Sequence, residues 1–518
     1  MKKKTIKISL KKILCFILAI VVIYYGGMMV RAATTPTTDI TFEDDNLYKN
    51  LKTRISSSAI ISSDDETKTL SIATDAISTI TQLDLSKCSI SNLSGIEKLT
   101  GLTSLNLSGN SITDISKLSS LTNLTDLDLG TNTISNINDI SSLASLKTLK
   151  LNSNRISNLD AIKTLTQLQT LDLSNNSISD AKAVQSLSRL TSLNISSNSS
   201  LANLSDVLMS QLTVLNVSDT AITDITGIDN YTNLKELNLS YNSIVSLAPL
   251  FVKEEEKTDD KYLCKLKGIT NLNVSYTTRT GFSFSNLKGI RSLETLSAEG
   301  LELTSVSGIV DLENLKYLNL NNNRLSNIEN FRVESSDEVK LLKATQIQLA
   351  NNEIEDISVL GDLPNIDYLN LEGNKIKDIS AIEKFTFQPS RLNLRNQTIE
   401  MPIYKKSNNE NHYIILYDIM QSAKDPESVA YYENATFTTE GVTLNEDSTY
   451  TVAPFYNVII TPDKTDDDIL TITLNGGVAD GTKITFTLST ASSAIETLMF
   501  EDPNLDKAIY DYLSTHLS

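Results

Sequence analysis

Leucines stand at Leu83, Leu105, Leu127, Leu149, Leu171, Leu193, Leu215 and Leu237, a spacing of 22 residues held through seven consecutive intervals. Two residues after each comes a second apolar residue, and three further on a polar one, usually Asn. No other feature constrains the fold so tightly. A 22-residue unit cannot enclose a core of its own, so successive copies must stack and share one. The phrase continues at Leu272, Leu296, Leu318, Ile347, Leu369 and Leu392, with intervals of 35, 24, 22, 29, 22 and 23, giving about fourteen units over residues 81–400.

Within one unit, Leu105 and Leu107 lie two apart, so a short strand points both to one side and turns Ser104, Asn106 and Ser108 to the other. Stacked units then pair their strands into a long parallel sheet with the leucines inside. Asn110, Asn132, Asn154, Asn176, Asn198, Asn242, Asn323, Asn352 and Asn374 fall where the chain turns inward out of the strand. An amide side chain both donates and accepts, so a ladder of Asn can satisfy the backbone there. Cys88, Thr220, Thr277, Leu301 and Gln397 take the same position in the other units. The Asp-Ile-Ser segments that follow suit 3₁₀ or irregular turns on the convex side. These features define the fold class as an α/β repeat solenoid, a leucine-rich-repeat horseshoe with a parallel sheet on its concave face.

The flanks divide into further segments. Residues 1–32 combine Lys2, Lys3, Lys4, Lys7, Lys11 and Lys12 with an apolar run from Ile13 to Val30 and small residues near Ala32, which reads as a secretory signal peptide; an uncleaved anchor is the alternative. Losing its six Lys and one Arg takes the formal charge from −18 to −25, which disfavours nucleic acid and anionic membranes as partners. After a linker at 33–39, residues 40–80 are expected to form a helical cap, with Phe42, Leu47, Leu51 and Ile55 at roughly helical spacing. Charged stretches near 252–264 and 329–340 read as insertions looping out of the array. Residues 401–490 hold β-branched runs at 413–417, 435–438, 456–460, 470–474 and 483–488, as in a β-sandwich. Residues 491–518 repeat the cap opening at Phe500-Glu501-Asp502-Pro503-Asn504-Leu505 and are expected to be the start of a second, truncated cap helix. Cys88 and Cys264 lie many units apart, so no disulfide is expected between them.

Phe42-Glu43-Asp44-Asp45-Asn46-Leu47, followed by 22-residue repeats of the form L-x-x-L-x-x-L-x-L-x-x-N-x-I-x-x-I, resembles the cap and repeats of bacterial internalins and internalin-like surface proteins. Arg391-Leu392-Asn393-Leu394-Arg395-Asn396-Gln397, running on to Pro402, is similar to the family's last repeat leading into an immunoglobulin-like domain. The resemblance implies a protein secreted by, or held on the surface or wall of, a Gram-positive-type bacterium. It implies binding of host-cell proteins or glycans, with adhesion and virulence as the setting.

Composition points the same way. His412 and His516 are the only histidines and there is no Trp, so Ser-His or zinc chemistry has almost no material, and neither an enzyme, a cofactor nor a metal is expected. The Asp-rich run 463–468 lacks the register of an EF-hand loop. Strand alternation places the binding face instead. Residues facing away from the core are almost all Ser, Thr, Asn, Asp and Gly in the first seven units, whereas later units bring Glu236, Tyr241, Tyr276, Glu299, Tyr317, Tyr368, Glu372, Arg391 and Arg395. Aromatic and Arg anchors in polar surroundings are the material of interfaces. The expected ligand is an extracellular protein, a host receptor among the candidates, or else a glycan. Membrane contact is expected only through the signal or an anchor, and the chain is expected to be a monomer.

Overall fold

In each repeat the two leucines two apart set a short strand, and the computed structural model shows fourteen of them, paired in parallel and in register within each of its two units. It describes residues 36–204, 209–250, 266–277, 282, 284–287, 290, 292–309, 312–331, 341, 343–376, 391–405, 412–415, 436–440, 457–460, 469–475 and 483–489, the last of these from 398 onward by backbone alone. The expected signal peptide, most of both charged insertions, the Asp-rich run and the expected second cap helix lie outside the described residues. Among the described residues no helix is long and apolar enough to cross a membrane.

The chain falls into two units, Met1–Thr223 and Asp224–Ser518. The first opens with β1 (Thr37–Thr41), helix α1 (Asp45–Arg54), β2 (Ile60–Asp64) and β3 (Thr69–Ala73). It continues with the repeat strands β4 (Gln82–Asp84), β5 (Ser104–Asn106), β6 (Asp126–Asp128), β7 (Thr148–Lys150), β8 (Thr170–Asp172), β9 (Ser192–Asn194) and β10 (Val214–Asn216). The second carries β11 (Glu236–Asn238), β12 (Asn271–Asn273), β13 (Thr295–Ser297), β14 (Tyr317–Asn319), β15 (Gln346–Gln348), β16 (Tyr368–Asn370) and β17 (Leu392–Asn393). Register is exact in residue type: Leu83 pairs with Leu105, Leu105 with Leu127, and Leu272 with Leu296. Both leucines of each pair are buried, as are the isoleucines that follow the ladder, such as Ile112, Ile134, Ile156 and Ile178. Short 3₁₀ helices such as Ser116–Ser120, Asn138–Ser142 and Asp160–Thr164 return the chain. Each starts where an Asp or Asn side chain accepts the N–H two residues on, as Asp114 does from Ser116 at 2.8 Å.

The Asn ladder is present in full chemical detail. Asn154 Nδ2 donates to the carbonyls of Leu129 and Leu151, both at 3.0 Å, while its Oδ1 accepts from Ile134 N at 3.0 Å. One side chain thus satisfies backbone in two coils. Asn176, Asn198, Asn323, Asn352 and Asn374 repeat the pattern, and Gln397 does so with the longer amide. Cys88, in the first repeat, donates its thiol to Ser86 O at 3.2 Å, while Asn110 Oδ1 of the next coil accepts from Cys88 N at 3.0 Å; the thiol is half-buried and in no disulfide.

The cap differs from the helical segment expected over 40–80. Its helix occupies only Asp45–Arg54, and a three-stranded antiparallel sheet in the order β1-β3-β2 makes up the rest. β1 begins at Thr37, inside the expected linker. Residues 60–64 and 69–73 form a hairpin because Leu70 and Ile72 can bury only if their strand lies between two others. Asp44 joins this cap to the repeats. Its Oδ1 caps the helix through Asn46 N and Leu47 N, and its Oδ2 accepts from Ser91 N, Ser91 Oγ and Asn92 N.

After the last repeat come β18 (Thr398–Lys405), β19 (His412–Ile415), β20 (Thr436–Glu440), β21 (Asn457–Ile460), β22 (Ile469–Asn475) and β23 (Lys483–Ser489). They form one six-stranded sheet in the order β20-β22-β23-β18-β19-β21, with β18 and β23 parallel and the other pairs antiparallel. The expected immunoglobulin-like sandwich needs two facing sheets, and among the described residues there is this one.

Candidate ligand-binding face

The residue just before each ladder position adopts a left-handed backbone in all fourteen repeats, from Lys87 (φ 54°) through Thr131 (φ 54°) to Asn396 (φ 56°). Only Gly109, Gly300 and Gly373 among them are the residue type that takes this conformation without cost. Tyr241 (φ 56°) and Tyr276 (φ 52°) belong to this column. Their backbones are held there because Tyr241 N donates to Ser275 O at 3.0 Å and Tyr276 N to Glu299 O at 2.8 Å, continuing the ladder past the strand. The two phenol rings consequently project side by side and stack, with centroids 4.8 Å apart and planes at 20°.

Tyr276 is locked from three directions. Its hydroxyl donates to Glu299 Oε1 at 2.8 Å and accepts from Asn322 Nδ2 at 2.8 Å. Asn319 and Asn322 also donate to the Glu299 carboxylate, at 3.0 and 2.5 Å, and Asn351 Nδ2 donates to Asn322 Oδ1 at 2.8 Å. The ring crosses the next repeat over Gly300, where a Cβ would lie 2.3 Å from Tyr276 Cε1. Burial first, then the hydrogen bond and charge of Glu299, push the Tyr276 hydroxyl up to about 12. Tyr317 is raised too, by burial and then by Glu299, and its oxygen accepts from Gln348 Nε2 at 2.8 Å.

The expected site residues therefore share one sheet face of the second unit but differ in what they offer. Tyr241 is 59% exposed, whereas Tyr276, Tyr317 and Tyr368 are half-buried, so the expectation that all four rings stand out from the sheet is corrected to one. Tyr276 and Tyr317 are held by hydrogen bonds from the coils beside them. Glu236, Arg391 and Arg395 are exposed, and Arg391 is paired with Asp367. Glu299 and Glu372 are half-buried, with Glu372 held by Asn393 Nδ2 at 2.9 Å and Asn396 Nδ2 at 2.7 Å. Sequence reasoning missed Asn319, Asn322 and Gly300 as the residues that fix the aromatic pair. The recurring glycines at 109, 300 and 373 were the available signal for a left-handed column.

The stacked coils, the Asn ladder and a polar sheet face with aromatic anchors define a repeat protein built for binding. Residues 101–403 match the family described as a leucine-rich repeat region, and residues 78–120 match leucine-rich repeats in two copies. The chain belongs to the leucine-rich-repeat family. Among solved structures it is similar to an internalin (inlF) from Listeria monocytogenes, at 26% identity and a TM-score of 0.56 over 67% of this chain and 94% of that one. It is also similar to the functional domain of InlJ from Listeria monocytogenes, which includes a cysteine ladder, at 22% identity and a TM-score of 0.55 over 88% of this chain and all of that one. Within the family this chain is internalin-like, with Asn in most of its ladder positions.

Proposed function

We propose that this chain is a secreted or surface-held bacterial protein that binds an extracellular protein, a host receptor among the candidates, through the sheet face carrying Tyr241. The observation that carries the reading is the aromatic pair. Tyr241 presents one ring face to solvent while Tyr276 backs the other and is itself fixed to Glu299 and Asn322. A large ring held still in this way loses little side-chain entropy when it is covered, as interface anchors require. Glu236, Tyr317, Tyr368, Glu372, Arg391 and Arg395 supply the polar surround. The Lys-rich start and apolar run of residues 1–32 support export, and the internalin likeness supports a role in adhesion.

A screen of the exported chain against an extracellular protein array and a glycan array tests this. The expected result is a protein hit, weakened by salt and lost in Tyr241→Ala, whose melting temperature stays at the parent value because the ring is exposed. Hits confined to glycans, insensitive to salt and displaced by free sugar, would overturn protein binding in favour of a carbohydrate module.

A further inference from the structure

Among the described residues, Glu236 and Glu299 on this face have no ion-pair partner. Glu299 is held by a phenol and two amides, Glu372 by two amides, and Glu236 stands exposed. Lys235, next to Glu236, turns its ammonium to Gly268 O at 3.0 Å. Arg391 is engaged with Asp367. Arg395 stands across from Glu372 on the neighbouring strand, but it is six strands from β11, about 29 Å along the ladder at ~4.8 Å per strand, so it does not reach Glu236 or Tyr241.

We infer that the exposed face of Tyr241 is the seat of a cationic side chain, Arg in preference to Lys, borne on a basic segment of the partner. The inference rests on the binding face proposed above and names the chemistry that fits it. A ring presents its negative π face to whatever covers it, and a guanidinium can lie flat against that face. Tyr276, behind it, donates a hydrogen bond to a carboxylate, which leaves more electron density in its own ring, stacked 4.8 Å from that of Tyr241. Among the described residues no cation pairs with Glu299 or lies over the Tyr241 ring, so the local potential favours an incoming positive group. An acidic ligand meets repulsion from a chain of formal charge −18. A sugar would gain the stacking but nothing from the charge.

Panning a random dodecapeptide phage library against the full exported chain at about 0.15 M salt tests the assignment. Clones that bind the parent and not Tyr241→Ala should be enriched in Arg. Their synthetic peptides should bind Tyr241→Ala about tenfold more weakly. Gly300→Ala, which keeps every charge but puts a Cβ where the Tyr276 ring lies, should weaken them too. Asp126→Asn with Asp172→Asn, equally acidic positions on the first unit, should leave binding unchanged. Tyr241-dependent clones that are neutral or acidic would overturn the cationic seat while leaving the binding face standing. An equal loss in the Asp126 and Asp172 double variant would reduce the effect to general charge and also overturn it. If no clone depends on Tyr241, the face itself fails, and the inference with it.

Discussion

At the scale of single residues, neighbours one position apart do different work. Asn154 and Asn176 bond to backbone in two coils, whereas Ser153 and Asn175, immediately before them, hold a left-handed turn. Asn154→Ala should therefore lower the urea midpoint by an amount equivalent to about 1 to 3 kcal/mol, because it leaves buried carbonyls and an N–H unpaired. Ser153→Gly should leave the midpoint unchanged or raise it, since glycine removes the left-handed penalty of up to ~1 kcal/mol at some cost in chain entropy. Equal losses in the two variants would show that the ladder is misassigned. The Asn column was legible in the sequence because its period is fixed. The left-handed column was not, because Lys87, Thr131 and Tyr241 occupy it alongside glycines, and none of those three favours such a turn by itself.

At the scale of elements, the repeat strands were readable from local spacing alone, and the cap was readable only in part. Helix α1 shows its apolar periodicity and its Asp44 cap in the sequence. β1 pairs with β3 from 28 to 36 residues away, and no local pattern in Thr37–Thr41 reports that. Asp44 makes the junction testable. Burial, its largest single influence, raises its pKa, but hydrogen bonds from Ser91, Leu47 and Asn92 together hold the carboxyl below its ordinary value. Its folded-state value lies below the unfolded one, so its contribution is complete above the unfolded value near 3.9 and disappears as pH falls through the lower folded value. Asp44→Ala should cost about 2 to 3 kcal/mol at neutral pH, from the lost cap and the bonds to Ser91 and Asn92. Denaturant midpoints of parent and variant measured from neutral pH down to acid should converge at the acid end. A constant gap would mean that the carboxylate's charge contributes nothing at this junction.

At the scale of the whole chain, the second unit bears the aromatic anchors and the first bears a small, polar sheet face. The sequence located the richer half because residue size alone changes after Leu237. It did not show which of the four tyrosines is available, since hydrogen bonds from Gln348, Asn319 and Asn322 decide that, and these come from neighbouring coils. Association with a partner should slow as salt rises if the acidic surface steers the encounter, and stopped-flow mixing at a series of ionic strengths measures this. On the proposed binding face, Tyr241 lies under the partner. Hydroxyl-radical footprinting of the full chain, free and bound to the protein recovered from the extracellular array, reads that directly by mass spectrometry. Oxidation of Tyr241 should fall on binding while Ile61, 51% exposed on the cap, keeps its reactivity. Protection of Ile61 with Tyr241 still oxidised at its free rate would contradict this placement.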